Sequence, residues 1–538
     1  MTLVQRAWLG SVPATRRERH YGDRVVRCFV ERPRNAYHLL TDAAARNPEG
    51  EAIVCGSKRL NYSELIGAVE QCAAQLEAAG VDKGDRVAIL LGNSILFPIT
   101  MFATLRIGAI AVPLSTREQT HGLAFMLAHS GAKLLVYDAN LADRLPEPAA
   151  TPVLVHRIPV EPEASCIAVP LLVRASGGAA VEVEEEDTAI ILYTSGTTGR
   201  PKGAMLAHLG ICHSAMHFEC CMGLKATDRA VAAVPMSHVT GVIALIAAMV
   251  RAAATLIVMP VFSAGEFLAL AARERMTHSL MVPAMYNLCL LDRTFDEARY
   301  STWRVGGYGG APMAPATIAR FAEKLPSLNL MNAYGSTETT SPVTMMPPSE
   351  TAARSDSVGC AVPCADILVM DDAGREVRDG EEGELWLGGP MVVKGYWNDP
   401  AATAENFTAG YWRSGDIGSK DSDGYIRVFD RKKDMINRGG YKVYSVEVEN
   451  ALMSFPGVVE AAVTASPCPV LGERVRAFVV AHAGVQVEDL KRHCAGLLAD
   501  YKVPEAFTLS DEPLPRNANG KLLKRNLRAG MTNVGRVS

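Results

Sequence analysis

A short apolar run that ends abruptly in a polar loop constrains this chain more than any other feature. Residues 189–193 read Ala-Ile-Ile-Leu-Tyr, and the loop that follows at 194–203 holds glycines, four hydroxyl residues and Lys202. Glycines expose backbone N–H groups, hydroxyls donate hydrogen bonds and a lysine adds positive charge, which together suit a polyphosphate. The loop lacks the Gly-x4-Gly-Lys-Ser/Thr spacing of a Walker A motif, so a P-loop fold is disfavoured. We therefore predict a buried strand that leads into a phosphate loop of another type.

The sequence upstream of this loop alternates short apolar strands with helical patterns. It predicts strands at 86–91, 109–113 and 132–137, with helices at 97–107 and 121–130 between them. Such alternation is typical of α/β architecture with largely parallel sheets. The chain has 538 residues, of which 49% are hydrophobic and 21% charged, so it has enough apolar material for several buried cores.

The pattern changes at the basic tetrad 431–434, which is poor in apolar residues. Beyond it the sequence predicts a helix, two strands, a second helix and a last strand, at 445–454, 458–465, 474–481, 487–499 and 507–510. This is enough material for a small independent α+β domain. We therefore expect a large α/β domain at 1–430, a hinge at 431–433 and a small, mobile α+β domain at 434–538.

Charge and composition disfavour several classes of protein. The formal net charge of −4 gives no reason to expect a nucleic acid or an anionic membrane as partner. Twelve cysteines without framework spacing, and an N-terminal region without the pattern of an export signal, predict reduced thiols and a cytoplasmic location. The apolar stretch 241–262 carries Arg251 at its centre, which costs about 2.5–3.5 kcal/mol in a bilayer. A buried helix followed by a buried strand is therefore predicted there, and no transmembrane segment.

Two local clusters are interpreted as structural. The acidic run at 181–186 predicts a solvated edge before the next strand. A second cluster places two histidines on one helix face, a spacing that zinc sites use, but no further cluster completes four ligands. We therefore predict no metal site at that second cluster, which consists of Cys212, His213, His217, Cys220 and Cys221.

The segment 193–203 resembles the signature loop of the adenylate-forming superfamily, which includes acyl- and aryl-CoA synthetases, luciferases and peptide-synthetase adenylation domains. Further motifs of that family follow in the family's order across most of the chain, and chance agreement of so many ordered segments is negligible. The resemblance implies that the loop holds the ATP phosphates. The loop residues implied in this contact are Thr194, Ser195, Gly196, Thr197, Thr198, Gly199 and Lys202.

Two further motifs imply the adenine and α-phosphate contacts. The segment 309–312 resembles the family segment that lies against the adenine, where absent side chains let the backbone approach a flat ring. In the second motif the resemblance implies that Tyr334 stacks on the adenine, Asn332 reads its amino group, Thr337 donates to the α-phosphate and Glu338 holds Mg²⁺. The nucleotide residues implied by both motifs are Gly310, Ala311, Pro312, Asn332, Ala333, Tyr334, Gly335, Ser336 and Thr337.

The motifs of the C-terminal third imply the ribose contacts and a catalytic lysine. Asp416 matches the aspartate that accepts hydrogen bonds from both ribose hydroxyls, and an acceptor-only carboxylate suits a diol. Arg431 is implied to reach the ribose, and Lys433 matches the hinge position about which the small domain rotates. The segment 515–521 resembles the motif that ends in the catalytic lysine, here Lys521.

The same resemblance implies a site for coenzyme A. The segment 438–441 would reach the active site after the small domain rotates, and two adjacent glycines would let a narrow pantetheine pass close to the backbone. The residues implied are Arg438, Gly439, Gly440 and Tyr441. Ser445, a short way downstream, stands where relatives often have proline, which we interpret as a structural variation.

The acid site is the part in which the chain departs most from the family pattern. The segment 235–238 matches a family motif whose histidine gates the acyl carboxylate, but Ser237 replaces the aromatic residue that often precedes it. No aspartate stands near that histidine, so an amino acid substrate is disfavoured. Small and apolar residues favour an aromatic or medium-chain acid over acetate. The acyl-pocket residues implied are His238, Val239, Val242, Gly307 and Ala333.

These motifs together predict an ATP-dependent, Mg²⁺-dependent enzyme that converts a small carboxylic acid to its acyl-AMP and then transfers the acyl group to CoA. Only a short basic tail follows the catalytic lysine, which favours free CoA as acceptor. Loading of a separate carrier protein, a luciferase-like oxygenase and a non-catalytic nucleotide-binding protein are the alternatives, and a homodimer is left open. The catalytic residues implied are Lys521, Thr337, Glu338, His238 and Lys202.

Overall fold

The structure is a computed structural model that describes residues 8–161, 180–194, 200–516 and 522–529. The chain packs as two compact units. The larger unit consists of Met1–Leu368, Trp386–Arg413 and Ser422–Ile426, and the smaller unit consists of Val369–Leu385, Ser414–Asp421 and Arg427–Ser538. Each unit builds its own core, and both combine helices with sheets, as the strand and helix patterns predict.

A six-stranded sheet of the larger unit contains the strand that leads into the predicted phosphate loop. Its strands are parallel except for one antiparallel pair at the edge. Helices Leu96–Arg106 and Thr120–Ser130 connect successive strands, and a cluster of buried leucines, valines and isoleucines forms the core. The strands lie in the order Lys202–Ala207, Thr188–Thr194, Ile110–Pro113, Arg86–Leu90, Leu134–Asp138 and His156–Val160.

A second sheet of the larger unit contains the parallel strands whose carboxyl ends carry the adenine and acid motifs. One face packs on three helices, Ala264–Arg273, Pro283–Leu291 and Pro315–Lys324, through a core that includes Trp303 and Tyr286. The parallel strands lie in the order Asn329–Tyr334, Val305–Tyr308, His278–Met281, Arg229–Ala232, Thr255–Val258 and Glu51–Cys55.

The apolar stretch 241–262 is buried as far as Met259, as predicted, and Val261 near its end is exposed. It forms a π-helix at Thr240–Ala247, a short helix at Ala248–Arg251 and the strand Thr255–Val258. The charge of Arg251 is met by the Glu219 carboxylate, 2.8 Å from its Nε. Within the described residues, every helix is too short or too polar to cross a membrane.

The smaller unit contains the predicted C-terminal α+β pattern. Helices Ser445–Met453 and Val487–Leu497 pack on a five-stranded sheet through a core of valines and leucines. Four strands of the sheet are antiparallel neighbours, and the fifth, Ala506–Ser510, is parallel to its neighbour. The other strands are Tyr441–Val443, Ile436–Arg438, Gly472–Ala481 and Val458–Cys468.

The structure contains a hairpin near the N-terminus that was not predicted from the sequence. Its antiparallel strands are Thr15–His20 and Arg24–Phe29, and we call it the N-terminal hairpin. The remaining elements of four or more residues are His38–Arg46, Lys58–Asn61, Tyr62–Ala78, Ala139–Arg144, His208–Met222, Glu297–Tyr300, Asp366–Met370, Gly383–Gly388, Pro400–Asn406, Tyr411–Lys420, Tyr425–Arg431 and Lys524–Ala529.

Candidate functional site

The two ends of the phosphate loop are held together by strand pairing. Lys202 lies opposite Thr194 in the antiparallel pair formed by Thr188–Thr194 and Lys202–Ala207. This register closes the loop at its base and places the Lys202 ammonium at one end of it. Five residues of the predicted phosphate contact lie outside the described residues, and their role stays a prediction: Ser195, Gly196, Thr197, Thr198 and Gly199.

The Glu338 carboxylate is buried and held by two hydroxyl groups. It lies in the single helical turn Thr337–Thr339, where the Ser336 N–H donates to Thr339 Oγ1 over 2.9 Å. Ser336 Oγ donates to Glu338 Oε2 over 2.5 Å, and the Tyr396 hydroxyl donates to Oε1 over 2.9 Å. A buried carboxylate needs such partners because burial without them costs several kcal/mol. The carboxylate is therefore fixed in direction, and its expected contact with Mg²⁺ stays a prediction.

Tyr396 is a residue that the sequence analysis missed. Its segment pairs with the strand after the phosphate loop, because the Met205 N–H donates to Gly395 O and the Trp397 N–H donates to Gly203 O, over 3.1 and 2.7 Å. The Lys202 ammonium lies 5.0 Å from the centroid of the Tyr396 ring, which is cation–π distance. Burial and the neighbouring carboxylate raise the pKa of Tyr396, so its hydroxyl stays a donor.

The glycines of the adenine segment are required by close packing. A Cβ on Gly309 would stand 2.4 Å from the backbone oxygen of Ala333, and Gly310 has a φ of +79°, which disfavours any other residue. The segment therefore lies directly against the end of strand Asn329–Tyr334. Ala311 and Pro312 are exposed beside it.

Asn332 and Ala333 point to opposite faces of their strand, as alternation requires. Asn332 is paired in register with Tyr308. Burial raises the pKa of Tyr308 to about 12, so the phenol stays neutral. The Tyr334 ring is half-buried at the strand end. The expected adenine contacts of Asn332 and Tyr334 stay predictions.

The segment that carries His238 is fixed from two sides. Asn93 Oδ1 accepts from the Met236 N–H over 2.8 Å, while Asn93 Nδ2 donates to Val234 O over 2.9 Å and to Met259 O over 3.0 Å. On the other side, a Cβ on Gly241 would stand 2.4 Å from Pro235 O, so only glycine lets the π-helix start this close. The role of Asn93 was not predicted from the sequence either.

The smaller unit brings the two predicted ribose ligands together. Arg431 Nε lies 2.7 Å from Asp416 Oδ1, and Asp416 is buried. The backbone supports the pair, since the Asp416 N–H donates to Ser414 Oγ over 3.0 Å and the Lys432 N–H donates to Gly415 O over 2.7 Å. Gly415 adopts a φ of +68° in this turn.

The contacts of Ser445 explain why a serine stands at this position. Its backbone N–H donates to Asp430 Oδ2, and its Oγ accepts from Lys524 Nζ over 2.7 Å. Proline has no N–H and no hydroxyl, so neither bond is open to it. Burial raises the pKa of the Asp430 carboxyl, and the Ser445 and Arg431 N–H groups oppose that shift. The structural interpretation of this variation is therefore supported by its contacts.

The predicted CoA segment forms a tight hairpin turn. Gly439 and Gly440 have φ values of +60° and +93° between strands Ile436–Arg438 and Tyr441–Val443, so the turn itself requires both glycines. Arg438 Nε donates to Glu505 Oε1 over 2.8 Å, and the Tyr441 ring stacks on Tyr501 at 4.7 Å. These contacts hold the turn, and its contact with CoA stays a prediction.

The histidine and cysteine cluster at 212–221 packs against the N-terminal hairpin. His213 Nε2 accepts from the Phe29 N–H over 3.1 Å, and its Nδ1 donates to Leu209 O over 2.8 Å. His217 Nε2 accepts from the Cys364 N–H over 3.3 Å. Burial lowers the pKa of His213 to about 4, so the ring is a neutral hydrogen-bonding group. These contacts support the structural interpretation of the cluster.

Another group of three residues in the described part of the chain has the chemistry of metal ligands. Glu18, His20 and Cys28 offer atoms within 4.8 Å of one another. However, the Glu18 carboxylate already accepts from Arg32 and Arg16, over 2.8 and 2.7 Å, so two cations neutralise it. We therefore assign this group to the packing of the hairpin.

The N-terminal hairpin also contacts the segment that leads to Tyr396. Arg24 donates to the carbonyl oxygens of Val392, Val393 and Lys394 over 3.1–3.4 Å. The Val393 N–H in turn donates to Glu338 O over 2.9 Å. The hairpin therefore positions the segment that also carries Tyr396.

The acidic run before the phosphate strand is only partly solvated. Glu182 and Glu184 are exposed, as predicted. Arg32 Nε and NH2 donate to the two oxygens of Glu185, over 2.7 and 2.8 Å, and Glu186 lies 3.1 Å from His20 Nδ1. The prediction of a plain solvated edge is wrong for Glu185, because its carboxylate is paired with the guanidinium of the distant Arg32, whereas the Glu186 side chain is 41% exposed.

Comparison with known proteins places this geometry in a family. The family pattern described as "AMP-binding enzyme" matches residues 40–397, and that of the "AMP-binding enzyme C-terminal domain" matches 447–521. A long-chain-fatty-acid–CoA ligase of Mycobacterium tuberculosis is 34% identical over 506 residues, which cover 92% of this chain and 98% of the relative. A feruloyl-CoA synthase of Amycolatopsis sp. is 35% identical over 488 residues, which cover 90% of this chain and 96% of the relative.

A solved structure with the same fold contains two of the ligands that the motifs imply. The o-succinylbenzoate coenzyme A synthetase of Bacillus subtilis in complex with ATP and magnesium ion matches with a TM-score of 0.81 and 29% identity, over 92% of this chain and 99% of that one. The predicted phosphate, adenine and acid residues lie within 40–397 and Lys521 lies within 447–521, whereas Asp416, Arg431, Lys433 and the segment 438–441 lie between the two matched regions. On these grounds the chain belongs to the AMP-binding enzyme family.

Proposed function

We propose that this protein is an AMP-forming carboxylate–CoA ligase. The observation that carries the proposal is the buried Glu338 carboxylate, held by Ser336 and Tyr396 beside the Lys202 ammonium at the base of the phosphate loop. The relatives described above are named as CoA ligases, which supports CoA as the acyl acceptor. The chain would use ATP, Mg²⁺ and CoA with a carboxylic acid.

The first half-reaction joins the acid to the α-phosphate of ATP. A carboxylate oxygen forms a bond to the α-phosphorus, and the bond from that phosphorus to pyrophosphate breaks. Because two anions meet, catalysis requires positioning and charge neutralisation. Lys202 and Thr337 would contact the phosphates, and Lys521, which lies outside the described residues, would add a second cation. When bound to Glu338, Mg²⁺ would neutralise charge on the phosphate oxygens.

The second half-reaction transfers the acyl group to CoA. The thiol sulfur forms a bond to the acyl carbonyl carbon, AMP leaves with the electrons of the broken C–O bond, and the thiol proton is released. The acyl-AMP is a mixed anhydride that water hydrolyses, so a site that excludes water protects it. Asp416 and Arg431 would hold the ribose, and the turn at Arg438–Tyr441 would accept the pantetheine arm.

The finer assignments are proposals drawn from the side chains. Val242 and Ala333 are buried and apolar, which supports an aromatic or medium-chain acid. His238 would stand next to the acid's carboxylate. The cytoplasmic location and a homodimeric state are further proposals, which cell fractionation and light scattering test.

A direct assay tests the proposed activity. Purified protein is incubated with ATP, Mg²⁺, CoA and a panel of aromatic and aliphatic acids, and AMP and acyl-CoA are measured by mass spectrometry. We expect both products in equal amounts, and neither without the acid. Acyl-AMP without acyl-CoA would indicate a carrier protein as acceptor, and an oxygen-dependent product would indicate a luciferase-like reaction. Either result would overturn the CoA ligase assignment.

A further inference from the structure

One face of the parallel sheet in the larger unit carries both small residues of the predicted acid pocket. Gly307 is paired in register with Leu280 on one side and Met331 on the other. Side chains paired across parallel strands point to the same face, and so do residues two apart on one strand. Gly307, Leu280, Met331 and Ala333 therefore share one face, and the other face belongs to the core around Trp303.

The space over Gly307 is filled by two side chains. A Cβ on Gly307 would stand 3.0 Å from Met222 Cε and 3.1 Å from Leu280 Cγ. Met222 is the last residue of helix His208–Met222 and is fully buried. An acid that runs along this face toward Gly307 therefore meets the end of the Met222 side chain.

Hydrogen bonds hold the main chain of Met222, while its side chain has several rotatable bonds. The helix ends at Gly223 in the left-handed conformation, and Arg304 donates to Met222 O over 3.1 Å and to Gly223 O over 2.8 Å. Arg304 is itself held by the Asp228 carboxylate, 3.0 Å from its Nε. A methionine side chain is unbranched with three rotatable bonds, so its end can adapt to what it contacts.

The layer beneath Leu280 is polar. His278 lies two residues before Leu280, on the same face, and is fully buried. Neither ring nitrogen of His278 has a hydrogen-bond partner within the described ranges. Burial lowers its pKa to about 4, so the ring is neutral. The apolar part of this face therefore ends at Leu280 and Met222, which gives the pocket a floor at that level.

We propose that Met222 is a specificity-determining residue that sets the depth of the acyl pocket. From Ala333, near the strand end, to the level of Gly307 is two residues along the sheet, about 6–7 Å at about 3.3 Å per residue. This depth accommodates one aromatic ring or an alkyl chain of about five carbons. Within the proposed aromatic or medium-chain acids, the substrate class is therefore acids with a single ring or with an alkyl chain at the short end of that range. This inference rests on the proposed ligase function.

The test compares acid preference in matched variants. Straight-chain acids of four to twelve carbons and benzoate are assayed by acid-dependent pyrophosphate exchange with wild type, Met222→Ala and Met281→Ala. Met281 is a buried methionine on the opposite face of strand His278–Met281, so it controls for the loss of one buried side chain. The ratio of kcat/KM between two acids is measured within one preparation, so it does not depend on the folded fraction.

We expect wild type to prefer benzoate and acids of about six carbons or fewer. Met222→Ala should raise the kcat/KM ratio of octanoate to hexanoate by about tenfold or more, since one methylene in an apolar pocket is worth about 10- to 200-fold. Met281→Ala should leave the ratio unchanged. Gly307→Ala should depress hexanoate relative to butanoate, and this loss should be largely restored in the Gly307→Ala, Met222→Ala double variant.

The outcomes separate the two proposals. An unchanged ratio in Met222→Ala, or an equal shift in Met281→Ala, would overturn the role of Met222 while acid turnover by wild type still supports the ligase. A preference of wild type for dodecanoate would also overturn the role of Met222 and still support the ligase. Failure of wild type to turn over any acid would overturn the proposed function and the inference with it.

Discussion

Tyr396 shows how a single side chain organises the proposed magnesium site. Its hydroxyl donates to the Glu338 carboxylate, while its ring faces the Lys202 ammonium. The tyrosine therefore joins the proposed metal ligand to the base of the phosphate loop. Ser336 supplies the other hydroxyl, so the direction of the carboxylate depends on two donors. Residues that orient a metal ligand in this way usually matter nearly as much as the ligand.

Tyr396→Phe tests this role because it removes one hydrogen bond and keeps the ring. We expect the free Mg²⁺ needed for half-maximal pyrophosphate exchange to rise about 10- to 100-fold, the usual cost of losing a partner of a metal ligand. The KM for the acid should not change. The matched control is Tyr62→Phe, which removes a buried hydroxyl that donates to Ala254 O over 2.7 Å. An equal Mg²⁺ requirement in Tyr396→Phe and wild type would contradict the assignment.

At the scale of elements, the N-terminal hairpin is a support for the phosphate site and lies outside the matched family region, which begins at residue 40. Arg24 holds three successive carbonyl oxygens of the chain that leads to Tyr396. Arg32, which follows the hairpin and is paired with its Glu18, holds Glu185 shortly before the strand Thr188–Thr194. Charged donors make strong hydrogen bonds, so Arg24 and Arg32 restrain the two segments.

Arg24→Met should therefore weaken the use of ATP. We expect kcat/KM for ATP to fall about 10- to 100-fold, because a displacement of about 1 Å in a catalytic segment has an effect of this size. The KM for the acid should stay close to that of wild type. Arg17→Met, an exposed arginine of the same hairpin, is the control and should behave as wild type. A parallel loss in both variants, or an unchanged KM for ATP in Arg24→Met, would rule out a positioning role.

At the scale of the whole molecule, the smaller unit recruits two stretches that precede the predicted boundary. Lys432 Nζ lies 2.8 Å from Asp372 Oδ1, and the Tyr444 hydroxyl donates to Glu382 Oε2 over 2.6 Å. The residues 369–385 and 414–421 therefore pack with the C-terminal residues. The hinge at Lys433 stays a prediction that rests on the family resemblance.

The two half-reactions test that hinge. Lys521→Ala should slow acyl-AMP formation by about 10²–10³-fold, the cost of losing one charge-stabilising group, yet spare thioester formation from supplied acyl-AMP. Lys433→Pro should do the opposite, because proline fixes φ near −65° and resists backbone rotation. The readouts are acid-dependent pyrophosphate exchange and thioester formation from synthetic acyl-AMP. The spared half-reaction in each variant shows that the protein is folded, and equal loss of both steps in both folded variants would contradict domain alternation.

The sequence by itself determined the order of the elements and the chemistry at their ends. Apolar periodicity predicted strands at 86–91 and 132–137, and the structure has them at Arg86–Leu90 and Leu134–Asp138, so each end lies within two residues of its prediction. The sequence suffices here because burial on both faces depends on local composition. The loop after Tyr193 indicated phosphate binding through its glycines, hydroxyls and lysine, and the motif around Glu338 indicated nucleotide binding through its resemblance to the adenylate-forming superfamily. These properties are local, so they are written in the sequence.

The tertiary structure alone decided which distant residues support that chemistry. Tyr396 and Glu338 are 58 residues apart, and Arg24 is 368 residues from Val392. Nothing in the sequence around Arg24 or Asn93 distinguishes them from other polar residues. Likewise, the contact of Met222 with the space over Gly307 depends on how a helix end packs on a sheet face. Such pairings follow from the packing of whole elements, which periodicity and motif spacing do not encode.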